Sequence, residues 1–273
     1  YKHRVGGSIP SHCTIKSNIG ICLYFFVSLI IRNMKNKKIT WALVLNFVIV
    51  VGMITGIIID AVVGKHYHDV GDERYEPFFL NLKYYTVLSN IILFVAASIF
   101  IVYTFLLLKK KIKKIPNWVS IFKMCATTGT TITMFVVLFI LTPGLAAGLG
   151  DESLSPSTMY VNASSIYHVV NPLAGLLTFI LFETNKKIEF KHCCFGMIFT
   201  IAYSIFYALE AYLRFLPEYW PAMSYDWYGF VDVVGDYGIA PLLIGFAGFS
   251  FLVTWLLRLA NQKIHILEKP ATK

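Results

Sequence analysis

WALVLNFVIVVGMITGIIIDAVV, residues 41–63, is apolar on every face and carries one ionisable side chain, Asp60, close to its end. A helix that is hydrophobic all round is surrounded by lipid or by other helices, and about 20 residues carry it across a hydrocarbon core. Including this block, Trp41–Val63, the chain has six: the others are Tyr84–Leu108, Trp118–Leu141, Val161–Phe182, Cys193–Phe215 and Tyr237–Leu259. Each falls near the roughly 17–25 residues that a spanning helix needs, and none shows the alternation of a barrel strand. The predicted fold class is all-α, a polytopic membrane protein with six transmembrane helices.

Composition points the same way. Only 14% of the 273 residues are charged, against about 25% in a soluble domain. The net charge of +9 is not read as a nucleic-acid footprint, because the lysines lie in short connections between apolar blocks. The five cysteines, Cys13, Cys22, Cys125, Cys193 and Cys194, show no CxxC pairing, so no disulfide and no cysteine-held metal is expected. The first methionine is Met34, and the apolar run Ile19–Ile31 is shorter than a span. Residues 1–33 are therefore read as an N-terminal extension outside the fold, and residues 34–273 as one six-helix domain.

Orientation follows from the connections. Lys35, Lys37 and Lys38 precede the first block, Lys109, Lys110, Lys111, Lys113 and Lys114 fill the second connection, and Lys186, Lys187 and Lys191 the fourth. The alternate connections carry Asp69, Asp72, Glu73, Glu76, Asp151, Glu152, Glu218 and Asp226 with few basic residues. Short lysine-rich connections stay inside, so both termini are expected in the cytoplasm of a multi-pass plasma-membrane protein.

Polar groups inside such blocks are the informative positions, since a central charge costs about 2.5–3.5 kcal/mol on insertion scales. His168 lies about seven residues, roughly 10 Å, below the outer end of the fourth block. Thr86 opens the second, with Ser89 and Asn90 one turn on. Glu210 lies near the outer end of the fifth, with Arg214 one turn above it, and Asp236 opens the sixth. Antiparallel packing gathers Thr86, Asn90, His168, Glu210 and Asp236 into one outer polar layer. Pro172 is expected to kink the fourth helix and free a carbonyl there. Structural alternatives stand beside each. A threonine in a helix commonly bonds back to the carbonyl four residues earlier, and Glu210 and Arg214 pair at i, i+4. The threonine row around Gly129 reads as helix-packing surface. His66, His68, Asp69, Asp72 and Glu73 match no metal-ligand spacing, so no metal or other cofactor is expected.

Three segments resemble a known family. Tyr84-Tyr85-Thr86-Val87-Leu88-Ser89-Asn90 is similar to the "F-T-x-x-S-N" segment of the six-span androgen-induced protein family. Tyr167-His168-Val169-Val170-Asn171-Pro172 resembles the "H-x-x-x-P" segment of its bacterial Pr-six-Pr branch. Trp227-Tyr228-Gly229-Phe230-Val231-Asp232-Val233, followed by Gly235-Asp236-Tyr237-Gly238, resembles the segment before its last span. The resemblance implies an intramembrane hydrolase of fatty acyl esters, with Thr86 and His168 as catalytic pair and membrane lipids as surroundings and substrate source. Asn90 is then a candidate oxyanion donor, and Glu210 or Asp232 a candidate partner for the imidazole. Two other readings stay open: a transporter using His168, Glu210 and Asp236, and a scaffold whose polar layer joins helices. The two three-span halves share no motif, which counts against an inverted repeat.

Overall fold

The computed structural model describes residues 37–69, 81–147, 156–183, 188–213, 228 and 240–267. The extension 1–33, Arg214, Asp232 and Asp236 lie outside the described residues. Among those described there is no strand, and six helices are long and apolar enough to cross a membrane. We number them α1 (Lys37–Asp69), α2 (Tyr85–Leu108), α3 (Asn117–Ala146), α4 (Asn162–Phe182), α5 (Phe195–Leu213) and α6 (Ala240–Leu267). α3 is central and packs against α2, α4, α5 and α6, while α1 packs against α2 and α4. The odd helices begin at the end where the even helices finish. That end, which holds Lys109–Lys114, is called the lysine end, and the opposite one the far end.

The bundle is apolar outside as well as inside, with polar side chains enclosed among its buried apolar clusters. Val51 and Ile58 of α1, Val102 of α2, Phe139 of α3, Ile198 of α5 and Ile244 of α6 are all more than half exposed. Asn46, Asn90, Lys123, Thr127, Asn171 and Thr254 are fully enclosed. Polar side chains therefore join the helices. Tyr85 Oη meets Thr200 Oγ1 at 2.9 Å, which meets Ser250 Oγ at 3.1 Å, linking α2, α5 and α6. Thr128 Oγ1 meets Thr254 Oγ1 at 3.0 Å, linking α3 to α6. Part of the threonine row is thus helix-joining surface: Thr128 and Thr133 also bond back to the carbonyls of Met124 and Gly129.

Two of the helices carry a proline inside them, each next to a π-turn. The third block was expected to end at Leu141, yet α3 continues through Pro143 to Ala146 by widening into a π-turn over Val137–Leu141. α4 does the same over Ile166–Val170, just before Asn171 and Pro172. A proline ring clashes with the carbonyl four residues back, and an i→i+5 turn moves that carbonyl aside. α6 also outruns its block, because Asn261 and Gln262 turn their amides onto carbonyls of the neighbouring α4 and its following connection.

Close approach of α1 to α4 depends on Gly56, where an added Cβ would stand 2.6 Å from the ring of Tyr167. Tyr167 in turn donates from its hydroxyl to Asp60 Oδ2 at 3.0 Å. Gly56→Ala is expected to displace that ring and destabilise the bundle by about 1–3 kcal/mol, as overpacking does. A thermal melt of the purified protein in detergent, beside Tyr167→Phe as the control that loses only the hydroxyl, checks this.

Candidate functional site

The site is built on the carbonyl of Tyr167. In the π-turn the Asn171 N–H reaches Ile166 O, so the next amide in that register would reach Tyr167 O. The next residue is Pro172, which has no N–H. The freed carbonyl accepts instead from Asn90 Nδ2 of α2 at 3.0 Å. The same Nδ2 donates its other hydrogen to Thr86 O at 2.8 Å. One amide thus holds the backbone at Thr86 and the backbone before His168 within two hydrogen-bond lengths of each other. Asn90 is fully buried, and burial makes such a bond expensive to leave unmade.

His168 is half-buried in the π-turn, and its Nδ1 lies 2.8 Å from Met159 O. A carbonyl oxygen only accepts, so Nδ1 carries the hydrogen and a neutral ring leaves its lone pair on Nε2. That is the tautomer a general base needs. Thr86, second residue of α2, is also half-buried. Its hydroxyl makes no hydrogen bond among the described residues, whereas Thr104, Thr128, Thr133 and Thr254 each bond back to a carbonyl four residues earlier. Nor does a hydrogen bond join Thr86 to the His168 ring among those residues.

The remaining expected members are placed differently. Both Asn90 donors are used on backbone carbonyls, so it clamps helices and has no N–H for an oxyanion. Its Oδ1 is buried without a partner, as are both amide atoms of Asn171, three residues beyond His168. Glu210 is buried on α5, one turn beyond Tyr207. Two turns earlier on α5 is Tyr203, which sequence reasoning did not single out. The Tyr203 hydroxyl donates to Lys83 O at 2.6 Å, and Tyr228 Oη accepts from the Tyr85 N–H at 3.0 Å. Burial pushes the Tyr228 phenol above its ordinary range, which keeps it neutral as an acceptor. Asp60, close to the end of the first block, ties α1 to α4 through Tyr167, the residue before His168.

A second polar group, at the lysine end, also escaped the sequence reading. Lys123 of α3 is fully buried, and its Nζ lies 3.2 Å from Glu183 Oε1. Lys123 also donates to Asn46 Oδ1 of α1, and Asn46 Nδ2 donates to Glu183 Oε1 at 2.8 Å. Asn261 Nδ2 of α6 donates to Phe179 O at 2.6 Å and Glu183 O at 3.1 Å. The available signal was a lone lysine inside an apolar block and a carboxylate ending the next one. No group of three or more His, Cys, Asp or Glu side chains suited to a metal occurs among the described residues.

Asn90→Leu leaves Tyr167 O without a donor and is expected to destabilise the bundle by about 1–3 kcal/mol. Denaturation in detergent measures it. An unchanged midpoint would mean that the bond to Tyr167 O contributes nothing. No protein-family model, curated protein or solved structure matches the chain.

Proposed function

We propose that this chain is a multi-pass plasma-membrane protein of the androgen-induced protein type, which hydrolyses fatty acyl esters reaching it sideways from the outer leaflet. The lysine end lies in the cytoplasm in this reading, with both ends of the six-helix domain there. Support comes from the apolar exterior and from the lysines gathered in the connections of one end.

The observation that carries the catalytic reading is the double use of Asn90 Nδ2, which ties the Thr86 turn to the His168 turn. Beside that clamp stand a threonine hydroxyl and an imidazole Nε2, neither of which has a hydrogen-bond partner among the described residues. His168 Nε2 takes the Thr86 proton as Oγ1 attacks the ester carbonyl, and returns it to the departing alcohol. The acyl group rests on Thr86 until water, deprotonated by His168, releases the fatty acid and restores the hydroxyl. Asn171 brings the unpartnered amide N–H nearest in sequence to His168 and is assigned to the oxyanion. Thr86 and His168 come within hydrogen-bond reach when substrate closes the site, as catalytic contacts often do.

A fluorophosphonate probe is expected to label the purified protein, with labelling lost in Thr86→Ala and in His168→Ala. Equal labelling of both variants and parent would rule the mechanism out. Asn171→Leu is expected to lower turnover of a fatty acyl ester about 100-fold, the scale of a lost oxyanion donor. Sidedness is tested separately in intact cells. Ser153→Cys should react with an impermeant maleimide, and Lys111→Cys only after permeabilisation.

A further inference from the structure

The connection from α2 to α3 carries five lysines in six residues, and all five side chains are exposed. Ile112 between them is half-buried, and Ile115 packs against the cluster of Ala42, Phe100 and Val119, which also brings the start of α1 and exposed Lys37 to this corner. The two described carboxylates of this end do not offset them, since Glu183 is enclosed with Lys123 and Glu189 pairs with Lys191 at 2.8 Å. The connection is also held in shape. The Lys111 N–H reaches Leu106 O and the Lys110 N–H reaches Leu107 O, each at 2.9 Å, with Lys110 in the left-handed region at φ 56°. Such a helix end favours glycine at that position, because a Cβ is strained there. Orientation in a membrane depends on how many lysines a connection holds, not on which position holds them. A lysine at the glycine position therefore keeps its charge at a cost in backbone strain that orientation does not require.

Depth decides what these charges meet. Trp41 is 54% exposed one turn into α1 from Lys37, and Trp118 is 50% exposed four residues after Lys114. Exposed tryptophans sit at the level of lipid headgroups, and Lys37 stands about 6 Å farther out along α1, where the lipid phosphates lie. We infer that the α2–α3 connection is a docking ledge for anionic phospholipid headgroups, which lie against Lys109–Lys114 with Lys37 beside them. Selection is by charge and not by headgroup shape, because an ammonium is a point charge without the planar fork of arginine. An acidic protein or a nucleic acid would have to enter the headgroup layer to reach the same side chains. The docking rests on the reading of the chain as membrane-spanning. It holds for whichever leaflet the lysine end meets and needs nothing from the Thr86 site.

The full chain in phosphatidylcholine nanodiscs, doped with a trace of spin-labelled phosphatidylserine or spin-labelled phosphatidylcholine, tests this by electron paramagnetic resonance. Both labels should show a motionally restricted fraction at the protein surface, with phosphatidylserine preferred at least about 5-fold at low salt, the scale that one lysine adds at an anionic surface. Raising salt from about 0.01 M to about 1 M shortens the reach of these charges from roughly 30 Å to roughly 3 Å, and the preference should collapse. Lys109→Gln, Lys110→Gln, Lys111→Gln, Lys113→Gln and Lys114→Gln combined should abolish it. Lys110→Gly should lower it while melting at or above the parent temperature, since glycine relieves the left-handed turn, and it serves where the fivefold variant does not fold. A preference that survives high salt or the loss of the five lysines overturns the docking, as does one removed instead by Lys191→Gln with Lys263→Gln. No preference in the parent overturns it as well, the result expected of a ledge reserved for an acidic protein. Absence of a restricted fraction for both labels would sink the membrane-spanning reading along with it.

Discussion

A carbonyl without its own amide partner, in a bundle whose exterior is apolar, has to find a donor on another helix. Tyr167 O is that carbonyl. Pro172 removes the N–H that the π-turn would have supplied, and Asn90 of α2 fills the gap. The requirement is strict because a buried polar group left without a partner costs about 1–3 kcal/mol. Its satisfaction sets the α2–α4 register at the far end. From that register follow the placement of the His168 turn beside the Thr86 turn, the seat of Tyr167 over Gly56, and its bond to Asp60 on α1.

The same economy governs the rest of the interior. A bundle that leaves so many apolar side chains on its outside draws on close packing and interhelical hydrogen bonds to hold its helices together. The hydroxyl contacts from Tyr85 through Thr200 to Ser250, and from Thr128 to Thr254, do this for α2, α3, α5 and α6. At the lysine end the work falls to charged and amide groups from α1, α3, α4 and α6. Two polar layers, of different chemistry, thus lie toward opposite ends of one helical bundle.

Much of the architecture was legible from residue order alone, because six all-round apolar blocks leave little choice of element. The ends were less so. The third block was expected to end at Leu141, yet a π-turn lets α3 run on through Pro143, and α6 runs on because its polar last turns find carbonyls on other chain segments. The far layer was visible as Thr86, Asn90 and His168, since polar residues stand out against apolar neighbours. The role of Asn90 was not visible, because its partner exists only through a missing amide on another helix. Lys123 and Glu183 went unread for a similar reason: a lysine near a block end looks like an orientation signal until the fold turns it inward.

The widened turn before Pro172 also sets the angular phase of α4. A π-turn takes one residue more than an α-turn, so the face presented before Ile166–Val170 is offset by about 100° from the one a continuous α-helix would present. The segment resembles two screws joined with their threads out of step. One residue more or fewer within that joint would change the turn that carries His168 while Glu183, beyond it, stayed seated against Lys123. Length changes in this short segment therefore act on the far layer through helix phase, which most point substitutions leave unchanged.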